Sequence, residues 1–300
     1  MIDLRGIETF YWVATLGGFH VAAEKLNASQ PAISQRIGQL EKALGTRLFE
    51  RHSRGVRLTV RGQALMTHAE RMLQLRRDML AIASEPDAIG GKLVIGVAET
   101  IVQTWLPTLL ARVHDRFPAL SLDIEVDTTP LMRSRLLGHQ IDLAFLMGPL
   151  DDPQIENLAL CRYRLAWLAS PTLRLAAEPL TLADLGAWPL LTYPASSRPY
   201  QALQQILVRA GVRDARMYGS ASISTTARMV RDGIGVGILA PAALRHELSE
   251  GQLRQLDVAG EALPDLSFTA SWLHAGESHV PAAVARLAVQ VAEAATGDSK

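Results

Sequence analysis

Phe19-His20-Val21-Ala22-Ala23-Glu24-Lys25-Leu26-Asn27-Ala28-Ser29-Gln30-Pro31-Ala32-Ile33-Ser34-Gln35-Arg36-Ile37-Gly38-Gln39-Leu40-Glu41 decides how the chain opens. Apolar residues recur at helical spacing on either side of a short polar break, so the stretch reads as helix, tight turn, helix. Ala22, Ala23 and Leu26 face inward with Ile33, Ile37 and Leu40, and the small side chains let the two helices cross closely. Ser29 is suited to an N-cap, and Pro31 falls in the first turn, where a missing N–H costs least. With those faces buried, Gln30, Ser34, Gln35 and Arg36 remain on the outside of the second helix. Such short or bidentate hydrogen-bonders suit base edges and phosphates in a major groove.

Outward from this stretch, Arg47-Leu48-Phe49-Glu50-Arg51-His52-Ser53-Arg54-Gly55-Val56-Arg57-Leu58-Thr59 is arginine-rich and hairpin-like. As a wing beside a recognition helix it would touch phosphates or a minor groove. Arg51, Arg57 and Arg61 are equally well read as solvated or salt-bridged. Formal net charge is zero over 300 residues, yet residues 1–84 hold twelve Lys/Arg against seven Asp/Glu, so a net +5 opening precedes a body of −5. That asymmetry is compatible with a nucleic-acid partner and is weak evidence alone.

The residues Ala22, Ala23, Leu26, Ser29, Gln30, Pro31, Ala32, Ile33, Ser34, Ile37, Leu40, Glu41, Leu44, Gly45, Leu48, Phe49 and Arg51 match a pattern of fixed spacings. Through them Leu4 to Gly62 resembles the winged helix-turn-helix of the LysR-type transcriptional regulators, and the resemblance extends more loosely to about residue 295. Members usually follow with Leu-Thr-x-Ala-Gly; here the run is Leu58-Thr59-Val60-Arg61-Gly62, so Arg61 departs from alanine. The resemblance implies that Gln30, Pro31, Ser34, Gln35 and Arg54 occupy DNA-contact positions. It also implies a bacterial regulator that reads a dyad DNA operator, answers to a small-molecule effector such as an organic acid or amino acid, and engages RNA polymerase where it activates.

The all-α character persists to about Leu80. Leu65, His68, Met72, Leu75, Met79 and Ile82 alternate three- and four-residue steps, the signature of a seam between two helices, although a helix packed on its own domain would carry the same stripe. The resemblance favours a homodimer through this helix and implies a homotetramer. Ser84-Glu85-Pro86-Asp87 and Gly90-Gly91 form the best linker. The expected organisation is a winged helix-turn-helix over 1–62, a dimerisation helix and hinge over 63–90, and an effector domain over 91–300.

Beyond Pro86 strand-like and helical runs alternate, which points to α/β architecture with a parallel sheet: strands Lys92–Val97, Ser121–Val126 and Ile141–Leu146 with helices Gln103–Arg116 and Leu131–Leu137. A second set includes strands Arg164–Ala169, Leu190–Tyr193 and Gly235–Leu239, before a strand Leu266–Leu273 and a helix Pro281–Ala295. By the resemblance these form two Rossmann-like subdomains of a periplasmic-binding-protein-like (type 2) fold, the first 91–163 plus 266–300 and the second 164–265, with the effector in the cleft between them. Ligands of open α/β sheets sit beyond carboxyl ends of strands and against helix N-termini. That places Glu99, Thr100 and Ile101, then Thr128 and Thr129, then Met147 and Gly148, then Pro194, Ala195, Ser196 and Ser197 at the cleft, and the resemblance adds Ser224 and Thr225 more weakly. Loop Ser and Thr residues serve equally as helix caps, and Arg198 serves either an effector carboxylate or a salt bridge. A cleft-facing Glu99 would disfavour an anion and favour an amine, which leaves the effector's charge open.

No catalytic constellation is present: the eight histidines are scattered, and neither His-Glu-x-x-His nor Gly-x-Ser-x-Gly occurs. No catalysis, metal or cofactor is expected. The single Cys161 forms no intrachain disulfide and reads as a packing residue, which fits the reducing cytosol. The N-terminus does not read as a signal peptide, and no apolar run is long enough for a membrane span, so a cytoplasmic protein is expected. Two alternatives stand beside the regulator: a small-molecule-binding protein whose helix-turn-helix serves another role, and a thiol-redox regulator.

Overall fold

The computed structural model describes residues 2–52, 55–83, 91–274 and 279–297, with the backbone alone for 51, 52, 55, 74, 77, 78, 80–83, 279 and 297. The chain divides into two units, Met1–Gly91 and Lys92–Lys300.

In the first unit, α1 (Leu4–Leu16), α2 (Phe19–Lys25) and α3 (Gln30–Leu44) precede a hairpin of β1 (Phe49–His52) and β2 (Gly55–Leu58), and α4 (Val60–Ala83) closes it. The Asp3 side chain caps α1 by accepting from Gly6 N, and Gly17 ends that helix at φ 68°, a left-handed conformation that glycine adopts without a Cβ penalty. Ser29 Oγ accepts from Ala32 N at 3.4 Å, so the expected N-cap of α3 is present. Phe10, Val13, Ala22 and Ile33 are wholly buried, and the rings of Phe10 and Phe19 pack on Phe49 with centroids 5.4 and 5.9 Å apart. Phe49 thus ties the hairpin to the core of the helices. Ile37 and Leu40 complete the inner face of α3, and Leu26 packs half-buried against it.

The second unit begins with β3 (Gly91–Val97), α5 (Glu99–Val102), α6 (Leu106–Arg116), β4 (Leu120–Val126), α7 (Thr129–Leu137), β5 (Leu143–Met147) and β6 (Ile155–Arg164). It continues through β7 (Ala166–Ala169), α8 (Leu182–Gly186), β8 (Leu190–Thr192), α9 (Arg198–Arg209), β9 (Met217–Gly219), α10 (Ile223–Arg231) and β10 (Val236–Leu239). A 3-10 turn at Pro241–Leu244, α11 (Arg245–Ser249), β11 (Arg254–Gln255), β12 (Asp265–Leu273) and α12 (His279–Gly297) complete it. Two five-stranded sheets result, in the orders β4-β3-β5-β12-β6 and β11-β7-β10-β8-β9. The chain passes from the first sheet to the second between β6 and β7 and returns between β11 and β12, so two subdomains face each other across a double connection.

The sheets are mixed, which corrects the expectation of a parallel sheet. β3 and β5 pair in parallel, but β12 runs antiparallel to both β5 and β6, and β7 runs antiparallel to β10. Parallel neighbours need a crossover that places a helix on the sheet face. β12 arrives straight from the other subdomain, free of that constraint. The expected helix Gln103–Arg116 is α6, which starts three residues later at Leu106, with Trp105 its cap and Pro107 in the first turn, where a missing N–H costs least. The expected strand Arg164–Ala169 holds the whole of β7 and the last residue of β6. Alternation in β6 is obscured at Leu160, which the register against β12 skips, so that the buried positions change parity there.

Candidate functional site

On α3, Gln30, Pro31, Ser34 and Gln35 are exposed along the first turns, while Ile33, Ile37 and Leu40 anchor the opposite face. Arg36 is half-buried at the border of the two. Arg57 projects exposed from β2, and Arg51 lies in β1, paired with Val56 in the backbone register. Arg54 lies outside the described residues. The hairpin is held against α3 by Glu41, whose Oε1 accepts from Leu48 N at 2.7 Å and Phe49 N at 3.3 Å. Thr59 Oγ1 accepts from Gly62 N at 3.0 Å and donates to Arg47 O at 2.9 Å, capping α4 and closing the hairpin in one step. At Gly62 a Cβ would stand 2.3 Å from Leu48 O, so a side chain there would push the hairpin away. Arg61 is exposed beside it. Sequence reasoning matched Glu41, Thr59 and Gly62 to a pattern without finding their roles, since each acts on backbone groups that a pattern does not display.

In the second unit a cavity of about 160 Å³ opens between the two subdomains. Of the expected effector residues, Glu99, Thr100, Thr128, Thr129, Met147, Pro194, Ser196 and Ser197 line it. Five others do not. Ile101 is fully buried in the core, because α5 turns it inward under the cleft floor. Gly148 is a packing position: a Cβ there would stand 1.9 Å from Thr269 Oγ1. Ala195 and Thr225 are exposed off the wall, and Ser224 lies beside the cavity, bonded to Glu99 and Gln103. Ala98, Asp127, Pro130, Tyr193, Arg198, Ala221 and Ile223 complete the lining.

Against this geometry two family descriptions match: "Bacterial regulatory helix-turn-helix protein, lysR family" over residues 4–63 and "LysR substrate binding domain" over residues 86–295. The chain belongs to the LysR family. This LysR-type transcriptional regulator therefore carries a DNA-binding helix-turn-helix and an effector-binding domain. It is similar to the HTH-type transcriptional regulator GltR of Bacillus subtilis (strain 168), 27% identical over 84% of either chain. It is also similar to the HTH-type transcriptional regulator YofA of Bacillus velezensis, 29% identical over 89% of this chain and 93% of that one. Its fold is shared with full-length CbnR solved in complex with its target DNA, at TM-score 0.66 and 20% identity over 97% of this chain and 100% of CbnR.

Within the regulator's cleft several polar side chains already have partners. Thr129 Oγ1 accepts from Met147 N at 3.2 Å, joining α7 to β5, and Ser197 Oγ accepts from Tyr200 N at 3.4 Å as the N-cap of α9. These hydroxyls are caps as well as walls. Arg198 donates across the cleft to Pro149 O at 3.4 Å. Tyr193 is the exception: its hydroxyl is buried without a hydrogen-bond partner, although the Thr100 side chain and Ala240 backbone lie near it. Burial, with the Glu99 charge adding, pushes that phenol up to about 12. Tyr193 ended an expected strand without being read as a site residue, because an orphaned hydroxyl is visible only in three dimensions.

Cys161 sits half-buried in β6 beside Trp105 and Tyr163, and burial pushes its thiol up. That is the direction opposite to an activated thiolate. Among the described residues no helix is long and apolar enough to cross a membrane.

Proposed function

We propose that this regulator works in the cytoplasm as a homodimer, assembling to a homotetramer, that reads a dyad operator through the outer face of α3. The supporting observation is the division of α3 into an anchored apolar face and an exposed face of Gln30, Ser34 and Gln35, the side-chain types that pair with base edges. Arg57, Arg36 and Arg51, with Arg54 by the family resemblance, supply phosphate contacts. Met72, Leu75 and Met79 of α4 are 41%, 61% and 64% exposed, an apolar stripe that a second copy would cover by pairing α4 with α4. A small molecule in the cleft biases how the copies are arranged on DNA, to the extent that it binds one arrangement better than another. RNA polymerase is the partner where the outcome is activation. The protein acts by binding and carries out no catalysis of its own. The raised thiol of Cys161 favours this reading over a thiol-redox regulator.

The test is binding of the purified protein to DNA from its own upstream region, with competitor DNA, across a salt series. Competitor-resistant binding whose log affinity falls linearly with log salt is the expected result. Absence of binding at low salt would overturn the proposal.

A further inference from the structure

Three helices of eight or more residues begin at the cleft: α7 at Thr129, α9 at Arg198 and α10 at Ile223. Free N–H groups make a helix start an attractive place for an anion. But Pro130 and Pro199 each remove an amide, from α7 and α9 in turn, Asp127 stands at the start of α7 with its Oδ1 accepting from Thr128 N at 2.7 Å, and Ser197 Oγ caps α9. The start of α10 is already filled from within the chain. Glu99, in the first subdomain, reaches across to the second: its Oε2 accepts from Ile223 N at 2.7 Å, and its Oε1 accepts from Ser224 N at 3.1 Å, Ser224 Oγ at 2.9 Å and Ser222 Oγ at 3.4 Å. Gln103 Nε2 adds a bond to Ser224 Oγ at 3.0 Å on the same side.

We propose that Glu99 is an internal anion that bars carboxylates from this end of the cleft, so that the effector is a small, mainly apolar molecule without a free carboxylate. The inference rests on the reading of this cleft as the effector site and narrows what it accepts. Two amides and two hydroxyls at the start of α10 are committed to one carboxylate, and a second could reach them only by displacing it or standing beside a like charge. Asp127 brings another carboxylate to the same wall, while Arg198 is the one cation among the lining residues and is exposed and turned to Pro149 O. Ala98, Pro130, Met147, Pro194, Ala221 and Ile223 give the remaining wall an apolar part, and the Thr129 and Ser197 hydroxyls beside it already accept from backbone amides. A cavity of about 160 Å³ is comparable to one that accepts benzene.

The experiment titrates benzoate, and separately benzyl alcohol, into the full-length native protein and its Glu99→Ser and Glu99→Gln variants by calorimetry, after thermal melts show which variants are folded. The expected result is that benzoate binds Glu99→Ser at least about tenfold more tightly than the native protein, the scale of an anion gaining a free helix start. Benzyl alcohol should lack that dependence on residue 99. Submillimolar binding of benzoate by the native protein overturns the proposal even if neither variant folds, and so does equal benzoate affinity, or none, in native and folded variant proteins. Benzoate binding that depends on residue 99 but leaves operator binding unchanged supports the exclusion and counts against the regulatory reading of the cleft.

Discussion

Glu41 Oε1 and Leu48 N are 2.7 Å apart, and this bond joins the last turn of α3 to the start of the hairpin. Leu48 is almost wholly buried, so its amide has no route to water if the carboxylate is removed. Glu41→Ala should lower the stability of the DNA-binding unit by about 1–3 kcal/mol, the usual cost of an unsatisfied buried donor. A urea midpoint unchanged from the native one would refute this role. Operator affinity should fall with it, because the hairpin loses its fixed position against α3.

Gly62 tests the same junction from the other side. Gly62→Ala places a methyl group 2.3 Å from Leu48 O, closer than any real contact, and backbone rather than a flexible tip must give way. A loss of about 1–3 kcal/mol is expected. Arg61→Ala, one residue earlier and exposed, should leave the urea midpoint within about 0.5 kcal/mol, and it serves as the control.

Base readout by α3 predicts a separation of folding from discrimination. Gln30→Ala and Ser34→Ala alter exposed side chains that support no core contact, so the melting temperature should hold while the ratio of operator to competitor affinity collapses by about tenfold or more. Undiminished discrimination in both variants, measured at one salt concentration, would remove base readout from α3. Arg57→Ala should instead weaken binding to all sequences and flatten the salt slope by about one unit.

The apolar stripe of α4 predicts concentration-dependent assembly. Leu75→Glu with Met79→Glu puts charges where a second copy would pack, and sedimentation should then show a smaller assembly for the variant than for the native protein. A mutant that sediments like the native protein would relocate the dimer contact.

Alkaline pH should destabilise the effector domain. Burial pushes the Tyr193 and Tyr163 phenols up to about 12 from an ordinary value of 10.0. The folded state therefore keeps both protons longer than the unfolded chain. The stabilisation is fully present below pH 10 and is lost as pH rises towards 12. Denaturant midpoints measured across that window should fall, and Tyr193→Phe should fall less steeply. Because the native hydroxyl is unpartnered, Tyr193→Phe should cost little or nothing at neutral pH.

What the sequence alone determined was everything that local periodicity and side-chain type express. Helical spacing placed Ala22, Ile33 and Ile37 inward and left Gln30, Ser34 and Gln35 outside; a proline and a serine marked the start of α3; and the strand ends near Thr100, Thr128, Met147 and Ser197 pointed to one cleft. The tertiary structure decided what depends on groups distant in the chain. Gly148 owes its place to Thr269 and not to a ligand, and β12 lies antiparallel because it enters from the other subdomain. Glu99 was legible as a carboxylate at a helix start, and its charge pointed away from an anionic ligand. Its engagement with the amides of Ile223 and Ser224 could not be read, because the first of those lies 124 residues further along the chain. Spacing reports which face of its own helix a residue occupies, whereas the groups that satisfy a charge or crowd a glycine are chosen by packing between elements.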